Sequence, residues 1–301
     1  MSRFLAIGEC MVELADTGNG LLRRGFAGDT FNTAWYARKL LPPAWQVSYL
    51  TAVGDDALSD EMLAFMQASD IDTRVIRRIA GASPGLYMIS LKSGERSFSY
   101  WRDTSAARQL ARDAGHLRVA MNQADMIYFS GITLGILSPG DCALFLAETK
   151  AAKARGAMVA FDTNYRPRLW NGRHDAGEVM LAAARAATVV LPGLEDEQVL
   201  FGPCDAAAVA ARYGEADLVV VKDGANGATI FEGGQATHVP AVAPDAVIDT
   251  TAAGDSFSAG FVVRRALGDD AVSAARFAAR VASQVVGARG ALVDISTSFS
   301  G

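Results

Sequence analysis

The sequence predicts an α/β fold, a mostly parallel sheet covered by helices with a smaller β sheet added to it. Three observations carry the prediction. Short apolar runs without polar alternation recur along the chain and stop near Gly, Asp, Asn or Pro, as strands buried on both faces do. Helix-like stretches separate these runs. Two segments, about 12–26 and about 85–102, break the rhythm and are strand-like in a different way.

The buried-strand candidates are Phe4–Cys10, Val47–Val53, Met126–Ser130, Met158–Phe161, Val189–Leu191 and Leu218–Val221. Thr30–Leu41 reads as a helix stopped by Pro42-Pro43, since proline lacks the N–H that would continue it. Ala57–Ala68, Pro139–Arg155 and Ala176–Ala187 are further helix candidates. In the second irregular segment Leu86, Met88 and Ser90 alternate with Tyr87, Ile89 and Leu91. Ser93-Gly94 then makes a turn and Ser97–Trp101 follows, which is a β-hairpin pattern. A hairpin and another extended segment inserted in an α/β domain suggest a lid that excludes water from a site. An edge hairpin without gating motion fits the same residues. No repeat, low-complexity tract or Gly/Ser linker interrupts the chain, so residues 1–301 read as one domain carrying a lid.

Composition narrows the function classes. Half of the 301 residues are hydrophobic, enough for a core without disulfide or metal staples. The formal charge is −5 and no Lys/Arg cluster interleaves with aromatics, which argues against a nucleic-acid partner. Arg23-Arg24 and Arg77-Arg78 are isolated pairs of the kind that sit solvated. Cys10, Cys142 and Cys204 are odd in number and form no C-x-x-C, as expected in a reducing cytoplasm. His116, His174 and His238 are as scattered, so no metal-ligand spacing emerges. The first residues lack the apolar core of a signal peptide, and no run of about 18 apolar residues exists. A cytoplasmic protein that does not span a membrane is the expectation.

The most informative stretch is Ile248-Asp249-Thr250-Thr251-Ala252-Ala253-Gly254-Asp255-Ser256. A strand is expected to end near Ile248 and a helix to run from about Gly254 through Ala266. Small residues at the junction let a phosphate approach backbone N–H groups. The first N–H groups of a helix have no internal partners and carry the positive end of its dipole, which makes an anion site. Asp255, in that first turn, is placed to take a proton from an attacking hydroxyl. Taken alone, it equally well complements the helix dipole.

This stretch resembles the C-terminal signature of ribokinase-like carbohydrate kinases, whose core is usually Gly-Ala-Gly-Asp. Ala27-Gly28-Asp29-Thr30-Phe31-Asn32-Thr33-Ala34 resembles their N-terminal motif, usually Gly-Gly-x-x-x-Asn-x-Ala. The resemblance extends over residues 4–292. It implies a doubly wound, mostly parallel α/β sheet with a small β-sheet lid, and transfer of the γ-phosphoryl group of ATP to a sugar hydroxyl with Mg²⁺. Asp255 would be the base, and the backbone of Ala252, Ala253, Gly254 and Asp255 the anion hole. Ala252 stands where the family has glycine, which tells against a strict need for positive φ there. Ala27 likewise replaces a glycine, which leaves lid hinging to Gly28.

The nucleotide side carries no G-x-x-x-x-G-K-[ST] and no G-x-G-x-x-G. By the resemblance it falls on Lys222, Gly224 and Gly227 of Val219–Gly227, on Asn164, and on Ser283 near the adenine wall formed by 278–283 and 287–291. A strand–turn–strand without ligand fits Val219–Gly227 equally well. The family's Asn-x-x-Glu motif for water-bound Mg²⁺ aligns with Gly193-Leu194-Glu195-Asp196, a departure that leaves Asp196 or Glu195 for the role.

The acceptor side is similar to that of 2-keto-3-deoxygluconate kinases through Ile7–Met11, Ser130–Leu134, Pro84–Tyr87, Tyr100-Trp101-Arg102 and Asp162–Trp170. Arginine suits bidentate carboxylate recognition. The resemblance implies Tyr87, Tyr100, Arg102 and Arg166 as contacts of the sugar acid, with Gly28, Asp29 and Asn32 at its other end and Arg168 as an alternate to Arg166. On the opposing reading Arg102 pairs with a surface acid such as Glu95, and Arg166 faces ATP phosphates. A kinase of fructose, tagatose or ribose, and a non-catalytic sugar or nucleotide sensor, are the alternative functions. The lid's exposed edges suit a homo-oligomer, a dimer or larger.

Overall fold

The computed structural model describes residues 2–18, 20–92, 95–171 and 176–296. Its strands are β1 (Ser2–Ile7), β2 (Met11–Gly18), β3 (Leu21–Ala27), β4 (Trp45–Leu50), β5 (Ala52–Val53), β6 (Arg77–Arg78), β7 (Leu86–Lys92), β8 (Glu95–Trp101), β9 (Met126–Ser130), β10 (Met158–Asp162), β11 (Val189–Val190), β12 (Leu218–Lys222), β13 (Ala228–Glu232) and β14 (Gln235–Val239). Its helices are α1 (Asp29–Leu40), α2 (Ala57–Ala68), α3 (Ala114–Asn122), α4 (Gly131–Ile136), α5 (Pro139–Ala154), α6 (Pro167–Trp170), α7 (Ala176–Arg185), α8 (Leu194–Phe201), α9 (Ala206–Arg212), α10 (Ala253–Ala266) and α11 (Ala271–Val286).

Eight strands form one sheet in the order β14-β13-β12-β11-β10-β9-β1-β4. The pairs from β12 to β4 are parallel, and the β12–β13–β14 edge is antiparallel. The unalternating apolar runs are explained by the two cores. Phe4 and Ala6 of β1 enter one core, and Leu5 and Ile7 enter the other. Both faces are thus buried under helices, as a parallel sheet requires. A second sheet, β3-β2-β7-β8, comes from the two irregular segments. In β7, Tyr87 and Ile89 are buried while Leu86, Met88 and Ser90 are half-buried, as the alternation predicts. The expected turn at Ser93-Gly94 lies outside the described residues, as does His174.

α10 positions the site. Asp255 in its first turn and Arg264 and Arg265 in its last agree with the helix dipole. Its buried face, including Phe257, Phe261 and Val262, packs between α1 and α11. Gly260 lets it approach α11 closely, since a Cβ there would lie 2.9 Å from the Cα of Ala278.

One expectation fails here. No strand ends at Ile248, because the last strand is β14, which stops at Val239. Val247 and Ile248 are 70% and 55% exposed and do not enter the sheet. The segment is held instead by the N–H groups of Ile248 and Asp249, which donate to the Val286 carbonyl at the end of α11. Apolar character alone misread an exposed crossing as a buried strand.

The turn after β12 is constrained by Gly227, where φ is +101° and a Cβ would lie 2.2 Å from the Val239 carbonyl oxygen. Left-handed strain and the backbone clash act in the same direction. Gly227→Ala should therefore cost at least about 2 kcal/mol, read as a fall in Tm of roughly 4 °C or more. An unchanged Tm would mean that the turn relaxes without loss.

Candidate active site

Residues from the carboxyl ends of parallel strands meet the start of α10. Asp162 ends β10, Lys222 ends β12, and Asp29 and Asn32 open α1. The Nδ2 of Asn32 donates to Oδ2 of Asp255 at 2.8 Å, and the hydroxyl of Thr33 donates to the Asp255 carbonyl at 3.3 Å. Asn164, at φ +30°, donates to Oδ2 of Asp29 at 2.8 Å. Oδ2 of Asp162 accepts from Lys222 Nζ at 2.6 Å, Ser258 Oγ at 2.8 Å and Tyr128 OH at 3.2 Å. That hub holds Lys222 where its Nζ lies 3.8 Å from the place a Cβ on Gly254 would occupy. The only cation of the group therefore stands beside the amino end of α10.

Burial and neighbouring carboxylates raise the pKa of Asp255 and of Asp29. Asp255 retains some exposed surface, yet burial dominates and pushes its pKa up to about 7. Repulsion from Asp29 adds to the rise, the Asn32 hydrogen bond opposes it, and Asp162 and Lys222 contribute with opposite signs. Asp29 is also raised, chiefly by burial, against hydrogen bonds from Ser130, Thr30 and Asn164. A carboxyl group poised near neutrality suits a general base.

Ala252 overturns the sequence expectation. It adopts φ +60°, ψ +15° at the N-cap of α10, so the turn does need the left-handed region, and alanine occupies it under strain. Gly28 is a glycine for a different reason. Its φ of 175° is ordinary extended backbone, and what it provides is space, since a Cβ would lie 2.2 Å from the Glu9 carbonyl oxygen.

Beside this group lies a cavity of about 630 Å³ between the two sheets. Gly28, Asp29, Asn32, Tyr87, Tyr100, Arg102, Arg166 and Arg168 all line it. Arg102 is 8% exposed and pairs with the buried carboxylate of Glu9. Tyr87 donates to Oε2 of Glu13, and its hydroxyl pKa is raised, first by burial and then by that carboxylate. Arg166 is exposed and donates from Nη1 to Asp196 at 3.0 and 3.2 Å. Burial raises the Asp196 pKa, and Arg166 opposes the rise.

The family profile described as "pfkB family carbohydrate kinase" matches residues 1–298. The chain belongs to the pfkB family of carbohydrate kinases. It is 40% identical to the 2-dehydro-3-deoxygluconokinase of Dickeya dadantii, over 96% of both chains. It is 40% identical to that of Escherichia coli K12, over 97% of this chain and 98% of the other. The crystal structure of a Xylella fastidiosa fructokinase with bound ATP superposes with a TM-score of 0.84 at 25% identity, covering 96% of this chain and 93% of that one. The fold is ribokinase-like.

Within this pfkB-family chain the residues expected on the nucleotide side are spread over the strand ends, the β12–β13 turn and α11. Lys222 and Gly254 are neighbours. Gly224 and Gly227 shape the β12–β13 turn at φ +50° and +101°. Ser283 lies on α11, where its carbonyl accepts from Gly287. Among the described residues no group of three His, Cys, Asp or Glu side chains can hold a metal. The lone Asp196 fits only an ion that keeps its waters and takes phosphate oxygens. Sequence reasoning missed Asp162, Ser258 and Glu9 as site residues. The available signal was position, because acids at the carboxyl ends of parallel strands face the ligand crevice.

Two stability predictions follow from this geometry. Because folding raises the Asp255 pKa above its unfolded value, its carboxylate weakens the fold as pH climbs from about 4 through about 7. Asp255→Asn should therefore raise Tm by a few degrees at pH 8 and leave it nearly unchanged at pH 4, and equal shifts at both would refute the coupling. Ala252→Gly should stabilise by up to about 1 kcal/mol, measured by urea unfolding. A loss of stability would show that the methyl packing outweighs the strain.

Proposed function

We propose that the chain transfers the γ-phosphoryl group of ATP to the C6 hydroxyl of 2-keto-3-deoxygluconate, giving 2-keto-3-deoxy-6-phosphogluconate. The observation that carries the reading is the buried Arg102 on the wall of a cavity that is also lined by Asn32, the hydrogen-bond partner of Asp255. The naming of the relatives at 40% identity supports the same acceptor.

In this reading the sugar acid enters with its carboxylate toward Tyr87, Tyr100 and Arg102, and with its hydroxyl toward Asp255. Asp255 takes the hydroxyl proton. The hydroxyl oxygen bonds to the γ-phosphorus, the bond from that phosphorus to the β–γ bridging oxygen breaks, and ADP leaves with that electron pair. The N–H groups at the start of α10 and the ammonium of Lys222 stabilise charge on the transferring group. Mg²⁺, when bound, would neutralise phosphate charge, with Asp196 ordering its waters once released from Arg166. Gly28, Asp29 and Asn32 hold the acceptor opposite the small sheet, which serves as a lid. Asn164, Gly224, Gly227 and Ser283 are assigned to the nucleotide side. We place the enzyme in the cytoplasm as a homo-oligomer. The exposed apolar residues Leu21, Leu22 and Trp101 on the small sheet support the second point. Among the described residues no helix is long and apolar enough to cross a membrane.

ADP release with MgATP should be much faster for 2-keto-3-deoxygluconate than for fructose, ribose or gluconate, and activity on a neutral sugar alone would discard the acceptor assignment. Asp255→Asn should lower kcat by roughly 10²–10⁴-fold with little change in KM. The wild-type kcat/KM should fall about tenfold per pH unit below a pKa near 7. A profile flat from pH 5 to 8 would remove Asp255 from the base role.

A further inference from the structure

The four strands of the small sheet have their roots at one residue. Glu9 lies in the connection from β1 to β2. Its carbonyl oxygen fills the space where Gly28, just after β3, would otherwise carry a Cβ. Its Oε1 lies 2.7 Å from where a Cβ on Gly85, just before β7, would stand. Its Oε2 accepts from Nη2 of Arg102, just after β8.

The pair is unusual in two ways. Its side chains are 0% and 8% exposed, so both charges have left water, and pairing recovers that cost only in part. It is also incompletely satisfied, because Oε1 of Glu9 and Nε of Arg102 have no hydrogen-bond partner among the described residues. A buried pair of this kind is a poor device for stability, since apolar side chains of similar volume commonly do better. Both residues line the acceptor cavity. Arg102 also has the Tyr100 ring on its flank, 6.0 Å from the guanidinium carbon to the ring centroid.

We infer that Glu9 is a positioning residue for the acceptor sugar. It holds the Arg102 guanidinium at the common root of the small sheet, and it acts on the substrate through Arg102. The inference rests on the reading of Arg102 as an acceptor contact.

The test uses full-length Glu9→Gln, Arg102→Gln and the double variant, with ADP release measured on whichever sugar the wild type turns over best. Glu9→Gln keeps the shape and removes the charge. It should raise the KM for the sugar at least tenfold and leave the KM for MgATP within twofold. The double variant should be no worse than Arg102→Gln alone, because one interaction is removed in either case. A wild-type sugar KM in Glu9→Gln, or effects that multiply in the double variant, would overturn the inference. Arg102→Gln with unchanged kinetics would sink the acceptor role of Arg102 and the inference with it. A wild type that prefers a neutral sugar would sink only the acceptor assignment. If Glu9→Gln fails to fold, Gly85→Ala carries the test. Its Cβ would press on Oε1 of Glu9 and stand 3.2 Å from Cβ of Arg102, so it should raise the sugar KM with MgATP unaffected; an unchanged sugar KM would overturn the inference equally.

Discussion

Like charge held out of water is the constraint around which the site is arranged. Asp29, Asp162 and Asp255 converge where the parallel strands end; Asp29 and Asp162 raise the cost of ionising Asp255, and Asp162 that of ionising Asp29. The fold offsets this with a fixed set of donors. Asn32 serves Asp255, Asn164 serves Asp29, and Lys222, Ser258 and Tyr128 share Asp162. The arrangement leaves Asp255 the acid whose protonation is balanced near neutrality. Its neighbour Asp162 serves instead to hold an ammonium group beside the helix.

The same constraint explains why α10 begins as it does. An anion approaching Asp255 needs positive potential that the carboxylates do not cancel. The N–H groups at the start of α10 and Lys222 provide it, apart from the Ala253 N–H, which already donates to the Thr250 carbonyl. Presenting those groups requires a sharp entry into the helix, and the chain makes it with Ala252 at φ +60°. Local strain of this kind persists where surrounding contacts fix it. Here Asp249 accepts from the N–H groups of Thr251 at 2.9 Å and Gly290 at 2.8 Å, tying the turn to the segment after α11.

Much of this was legible in the sequence. Met126–Ser130 and Ala57–Ala68 form a strand and a helix at the boundaries expected for them, because unbroken apolar burial and clean end signals leave little choice. The residues that motif resemblance assigned to the acceptor share one cavity. What was not legible depends on partners far apart in sequence. Ile248 looks like the end of a strand until the β13–β14 edge is seen to close the sheet before it. Ala252 looks conformationally ordinary because side-chain identity does not reveal the φ that a tertiary tether imposes. Glu9 looks like the polar end of an apolar run, since nothing local to it indicates Arg102, 93 residues away.

On the proposed reading, the arginines of the cavity recognise an acid sugar within a site that is itself rich in acids. Arg102 is neutralised by Glu9 and Arg166 by Asp196, so neither offers an uncompensated charge. Long-range attraction is correspondingly weak. What remains is geometry, because a guanidinium presents five donors in a rigid fork, and a single carboxylate leaves some of them free for a second. Recognition through such spare donors rejects a neutral sugar by leaving them unpaired, a penalty larger than the attraction of an exposed ion pair. It also demands that the fork be held still. A lysine at position 102, with its single mobile charge, would not reproduce this discrimination even with the same net charge in the cavity.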